Sequence, residues 1–176
     1  MKALLYFLLF LLLAGAGVFA FNYTLNKPVS DKVTDDSRNV HVGSQVHYQW
    51  YINPKVLVFN LKSIEAGASP ADVFRILLQS AETLKDKDFD EVILAYKETP
   101  KFKLKGSYFK KLGDEFGTQN PMYTVRTFPE NVQKMDGSAA FGSVEGGWLG
   151  VLGEEMTQFK TLSDQWWMND ARLSIE

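Results

Sequence analysis

"KVLVFNLKSI" (residues 55–64), "SPADVFRILLQSAETL" (69–84) and "EVILAYK" (91–97) follow one another and decide the fold. The first is a dense apolar run of strand length, which suits a central strand. The second opens with the grammar of a helix start. Ser69 can cap, Pro70 fits the first turn, and Asp72 completes a capping box while meeting the positive end of the dipole. Phe74, Leu77, Ala81 and Leu84 line one face at helical spacing, and Lys85 and Lys87 suit the negative end. The third stretch returns to strand.

Upstream, "QVHYQWYINP" (45–54) alternates, with Val46, Tyr48, Trp50 and Ile52 facing one way and His47, Gln49 and Tyr51 the other. That pattern predicts a half-buried strand, turned by Asn53-Pro54 into the next. Downstream, "ETP" is a turn, "KFKLK" (101–105) a short strand, "GSYFKKLGDEF" (106–116) a short helix and "PMYTVRTF" (121–128) another strand. A helix over 148–168 closes the chain, with Leu152, Met156, Phe159, Leu162 and Trp166 on one side. The order from Lys55 to Phe128 is β-α-β-β-α-β. It predicts an α+β class: a single two-layer domain over 40–176 with a ferredoxin-like order, an extra N-terminal strand and a C-terminal helix. That topology hosts many activities and implies none by itself.

The N-terminus is of another kind. Residues 3–21 carry no charge and no strongly polar side chain, and as a helix they would span about 28 Å, close to the hydrocarbon thickness of a bilayer. Residues 1–21 are therefore a signal anchor or a signal peptide. Lys2, the apolar run from Leu4 to Leu13 and the small residues at Val18-Phe19-Ala20 fit cleavage near Ala20. The full length of the run, with Phe19, Phe21 and Tyr23 where an aromatic belt would sit, fits an anchor, which is the first expectation. Ala16 follows Gly15 where a lipoprotein signal needs cysteine. Residues 22–39, polar and containing Pro28, read as a tether. Lys27, Lys32 and Arg38 blur the charge rule, yet an N-terminal span with a two-residue tail favours a domain outside the cytoplasm, periplasmic or extracellular. Secretion after cleavage is the alternative.

The formal charge of −2 argues against nucleic acid as a partner, and the absence of cysteine removes disulfides, thiol nucleophiles and cysteine-based metal motifs. His41 and His47 are the two imidazoles, both expected on the surface with no third ligand evident. "DKDFDE" (86–91) starts like a calcium loop, but Glu91 and Lys97 stand where glycine and an acid are needed. "SYFK" (107–110) matches Ser-x-x-Lys without its companion motifs, and Ser107 more simply caps a helix. No cofactor is expected.

Three features suggest binding. Lys101, Lys103 and Lys105 share a strand face suited to anionic lipid or an acidic partner, or else to protecting a sheet edge. Gly142, Gly146, Gly147, Gly150 and Gly153 surround Trp148, which fits either close helix packing or an exposed loop, and Trp167 is expected to be the more exposed of the pair Trp166-Trp167. Arg126 shares a strand face with Thr124. The expected function is a membrane-tethered or secreted envelope domain that binds a protein, peptide or lipid without catalysis. The alternative is a small hydrolase or transferase using Glu145, Glu154 or Asp164 with Arg126. Membrane contact is assigned to residues 3–21.

Overall fold

A computed structural model describes residues 2–144 and 148–173, except for the side chains of 148–150. Helix α1 (Lys2–Asp35) is followed by the hairpin β1 (Val42–Gln49) and β2 (Asn53–Ile64). Then come α2 (Pro70–Leu84), β3 (Glu91–Tyr96), β4 (Thr99–Lys105), α3 (Gly106–Glu115), α4 (Pro121–Thr127) and the two-residue β5 (Val132–Gln133). Helix α5 (Trp148–Ser163) passes through a π-helical turn, Asp164–Met168, into α6 (Asn169–Leu173).

The α+β class holds, with one mixed five-stranded sheet in the order β1-β2-β3-β4-β5. Strands β2 and β3 are parallel neighbours joined through α2, and the other pairs are antiparallel. The ferredoxin-like order does not follow. A split β-α-β unit would leave room for a strand between β2 and β3, and here they are bonded directly, Val56 opposite Glu91 through Leu61 opposite Tyr96. The stretch 121–128, expected as a strand, is helix α4 and its C-terminal cap. Asn120 caps it, its Oδ1 accepting from the Met122 N–H at 2.9 Å, and Pro121 occupies the first turn. This is the grammar that starts α2, where Ser69 and Asp72 form the reciprocal capping box.

Period-two burial explains the sheet. Val46 and Tyr48 of β1, Leu57, Phe59 and Leu61 of β2, Val92 and Leu94 of β3, and Phe102 and Leu104 of β4 fill one face. Against them pack Phe74, Leu77 and Ala81 of α2, Phe109 and Leu112 of α3, Phe159 and Leu162 of α5, and Trp166 and Trp167 of the π turn. The other face carries a smaller cluster of Val58, Ile93 and Ala95.

The stretch 22–39 is no tether. Helix α1 runs through it to Asp35, and Leu25, Val29 and Val33 are buried in the core. Their four-residue spacing makes one stripe, and Asn22 and Asn26 lie beside it. Those two amides solve the edge problem of β1, because its outward N–H groups would otherwise lack acceptors. The Tyr48 N–H donates to Asn22 Oδ1 at 3.0 Å and the Val46 N–H to Asn26 Oδ1 at 2.8 Å. Phe21 stacks on Tyr48 with ring centroids 4.4 Å apart.

The far end of α1 is fastened by a polar network. Asn39 donates to the Val33 carbonyl and to Gln79 Oε1, Gln79 donates to Asp36, and Arg75 donates to Asn39 Oδ1, the Arg38 carbonyl and Asp72. The Arg38 guanidinium holds the Asp36 carboxyl well below the usual carboxylate range. Burial pushes Asp72 up, but the bonds from Ser69 and Arg75 outweigh it and leave that carboxyl below its ordinary value.

Candidate ligand groove

The largest described cleft lies between α2 and the α3–α4 corner, with a volume of about 510 Å³. Its apolar wall is made by Phe74 and Leu78 of α2, Leu112 of α3, Phe116, and Met122 and Val125 of α4. Arg38, Arg75 and Glu115 stand among the polar residues that line it. Each element brings these residues here for a local reason. Leu78 follows Phe74 by four positions, so both project from one side of α2. Gly117, at φ +80°, turns the chain sharply out of α3, and the Asn120 cap then restarts it as α4. Met122 is half-exposed at 52%, so the cleft opens to solvent with apolar atoms at its lip.

Its electrostatics are settled internally. Arg75 already spends its guanidinium on Asp72 and Asn39, and Arg38 spends its own on Asp36. The cleft thus offers apolar surface first. It also lies far from the apolar end of α1. Arg38 follows the last turn of that helix, about 20 Å along the axis from Phe21.

No family model, curated protein or solved structure matches this chain.

The residues singled out in the sequence do not converge. Arg126, on α4, forms an ion pair with Glu155 of α5. Glu154 is exposed, and Asp164 is bonded to Lys160 at 2.8 Å with Arg172 nearby at 3.8 Å. Glu145 and the glycines Gly146 and Gly147 lie outside the described residues, as do the side chains of Trp148 and Gly150. Trp167 is not the exposed indole of its pair. Both Trp166 and Trp167 are buried, at 3% and 4%: the π-helical turn puts more residues in each turn, so successive side chains diverge by a smaller angle and both indoles face one core. Trp166 Nε1 donates to the Ala95 carbonyl at 3.2 Å, and Trp167 Nε1 has no hydrogen-bond acceptor among the described residues.

The lysine strand is largely compensated. Lys101 pairs with Asp170 and Lys103 with Glu91, each at 2.7 Å, whereas Lys105 is exposed. Alternating lysines were visible in the sequence, but their acidic partners come from a strand twelve residues back and a helix near the C-terminus.

His47, expected on the surface, lies inside the fold. It is buried, at 4% exposure, on the second sheet face under the Tyr51 ring, with centroids 4.4 Å apart. Its Nδ1 lies 2.8 Å from the Tyr48 carbonyl and its Nε2 3.2 Å from Glu98 Oε2. Asn60, fully buried, donates to the same carboxylate and accepts from the Glu98 N–H at 3.0 Å. The cluster closes on itself and pins the turn between β3 and β4, where Lys97 and Glu98 both have positive φ. His41 is exposed, beside Glu65. Among the described residues no group of three or more His, Asp or Glu side chains is placed to hold a metal ion.

Apart from Phe74, read as part of the apolar face of α2, the residues of the groove's apolar wall were missed in the sequence. Their one legible signal was Asn120-Pro121, a second helix start.

Proposed function

We propose that this chain is a membrane-anchored, non-catalytic binding protein that holds an apolar segment of another polypeptide in the groove between α2, α3 and α4. The observation that carries this reading is the 510 Å³ groove itself, apolar on its walls and ringed by charges already paired within the fold. A ligand recognised there is recognised by shape and apolar side chains. The distance of about 20 Å from Phe21 favours a polypeptide over the lipid of the same bilayer.

Retention of the anchor is supported by the continuity of α1. Cleavage near Ala20 would have to unwind a helix two residues before Asn22, whose side chain holds the edge of β1. The domain is read as lying outside the cytoplasm, with Lys2 and the amino terminus inside.

The chain has no cysteine, so a single one placed at Met122 can carry a photocrosslinker in intact membranes. Discrete polypeptide adducts are expected, abolished when Leu78→Arg fills the groove in a variant with an unchanged melting temperature. Adducts to lipid only, or adducts that survive Leu78→Arg, would overturn the reading.

A further inference from the structure

The β1–β2 hairpin ends in an aromatic tip that is built against ordinary turn chemistry. Trp50 and Tyr51 occupy consecutive positions at φ 50° and 64°, and the Ile52 N–H returns to the Gln49 carbonyl at 3.3 Å. A hairpin turn of this hand favours Asn-Gly, because a bulky side chain strains the left-handed region. Trp50 is 74% exposed and Ile52 64%, with Tyr51 41% exposed beside them. Strain and exposed apolar area coincide at one tip, which marks a working surface rather than a folding device.

Its position identifies what it meets. The Asn22 Nδ2 donates to the Tyr51 carbonyl at 2.7 Å, and also to the Val18 carbonyl of its own helix. Tyr51 shares a recess of about 340 Å³ with Gly15, Val18, Phe19 and Tyr23 of α1. The tip therefore lies alongside the last two turns of the apolar run, not above them. Phe19, Phe21 and Tyr23 are exposed at the same level, at 72%, 41% and 50%. The run "QWYINPKV" at the tip contains Lys55 and no acid, and the acidic turn that ends at Asp90 joins it behind the tip, at the Lys55 carbonyl.

We propose that the hairpin tip, Trp50 to Ile52, enters the interfacial layer of the bilayer that α1 spans and seats the domain on the membrane surface. This rests on the anchor reading above. With residues 3–21 in hydrocarbon, the recess and the tip fall at the boundary of acyl chains and headgroups, where tryptophan and tyrosine are favoured. The Asn22 bonds make helix and hairpin one wedge, so membrane tilt is fixed by two contacts rather than one. The recess between them has the size and apolar lining to accept part of an acyl chain.

The test uses the full chain in nanodiscs of phosphatidylcholine and phosphatidylglycerol, with a nitroxide at a single introduced cysteine. Collision with oxygen against collision with a water-soluble nickel chelate reports depth. Leu9→Cys reports the span, Ile52→Cys and Trp50→Cys the tip, and Ala66→Cys the exposed turn after β2, at the opposite end of the sheet from the tip. Expected is a deep Leu9, a tip within about 5–10 Å of the headgroup–acyl boundary, and a water-exposed position 66. A deep Leu9 with positions 50 and 52 as wet as 66 overturns the proposal and leaves the anchor standing. Positions 50 and 52 shielded from both reagents would mean a protein contact and overturn it too. A water-exposed Leu9 removes the anchor itself.

Discussion

The backbone N–H of Tyr48, on the outer edge of the sheet, donates at 3.0 Å to the side-chain oxygen of Asn22, on the helix that leaves the apolar segment. This amide thus satisfies part of the sheet edge, beside Asn26, and fixes where the domain stands relative to the first 21 residues. Its other end holds the Tyr51 and Val18 carbonyls.

Asn22→Ala should destabilise the full chain by about 1–3 kcal/mol, since it orphans a buried N–H and frees the hairpin tip. Thermal unfolding in detergent would show it. An unchanged melting temperature would mean that α1 is held by its apolar stripe without this bond.

Two glycines should respond in opposite directions. A Cβ on Gly113 of α3 would collide with the backbone of Ala81 on α2, so Gly113→Ala should cost about 1–3 kcal/mol. Gly153, on α5, has nothing within 4 Å of that position, so Gly153→Ala should raise stability by up to about 1 kcal/mol. Urea titrations of the two variants provide the comparison, and equal effects would contradict the α2–α3 contact.

Asp36 and Asp72 both have carboxyls depressed in the folded protein. Their contribution is therefore complete above the unfolded value of about 3.9 and is lost as pH falls through the lower folded values. The urea midpoint should drop on acidification below about pH 4, and Asp36→Asn should flatten that drop. A variant with the wild-type acid slope would remove Asp36 from the account.

Trp50→Gly should stabilise the domain in detergent by about 1 kcal/mol, because it relieves a positive φ at a residue whose indole touches solvent. Calorimetry of the full chain measures this. A loss of stability would mean that the indole packs within the fold.

The sequence by itself determined the elements whose signals are local. The capping box of Ser69 and Asp72, the dense apolar run of β2, and the apolar run of 3–21 each lie within a few turns of chain and were legible there. Lys55 to Tyr96 accordingly forms strand, helix and strand. Tertiary structure decided the rest, because the missing information sat on distant residues. Leu25, Val29 and Val33 looked like scattered apolar residues in a polar stretch containing Pro28, until the edge of β1 and the side of α2 offered them a core. His47 was assigned to the surface by alternation, yet the Tyr51 ring stacks on it and Glu98, held by Asn60, reaches it from fifty-one residues away. The pattern of apolar residues sets which face of a strand is buried, but not which strand lies beside it. Nor does it say what covers the sheet edge, which fell to side chains such as Asn22, whose hydrogen bonds exist only once helix and edge have met.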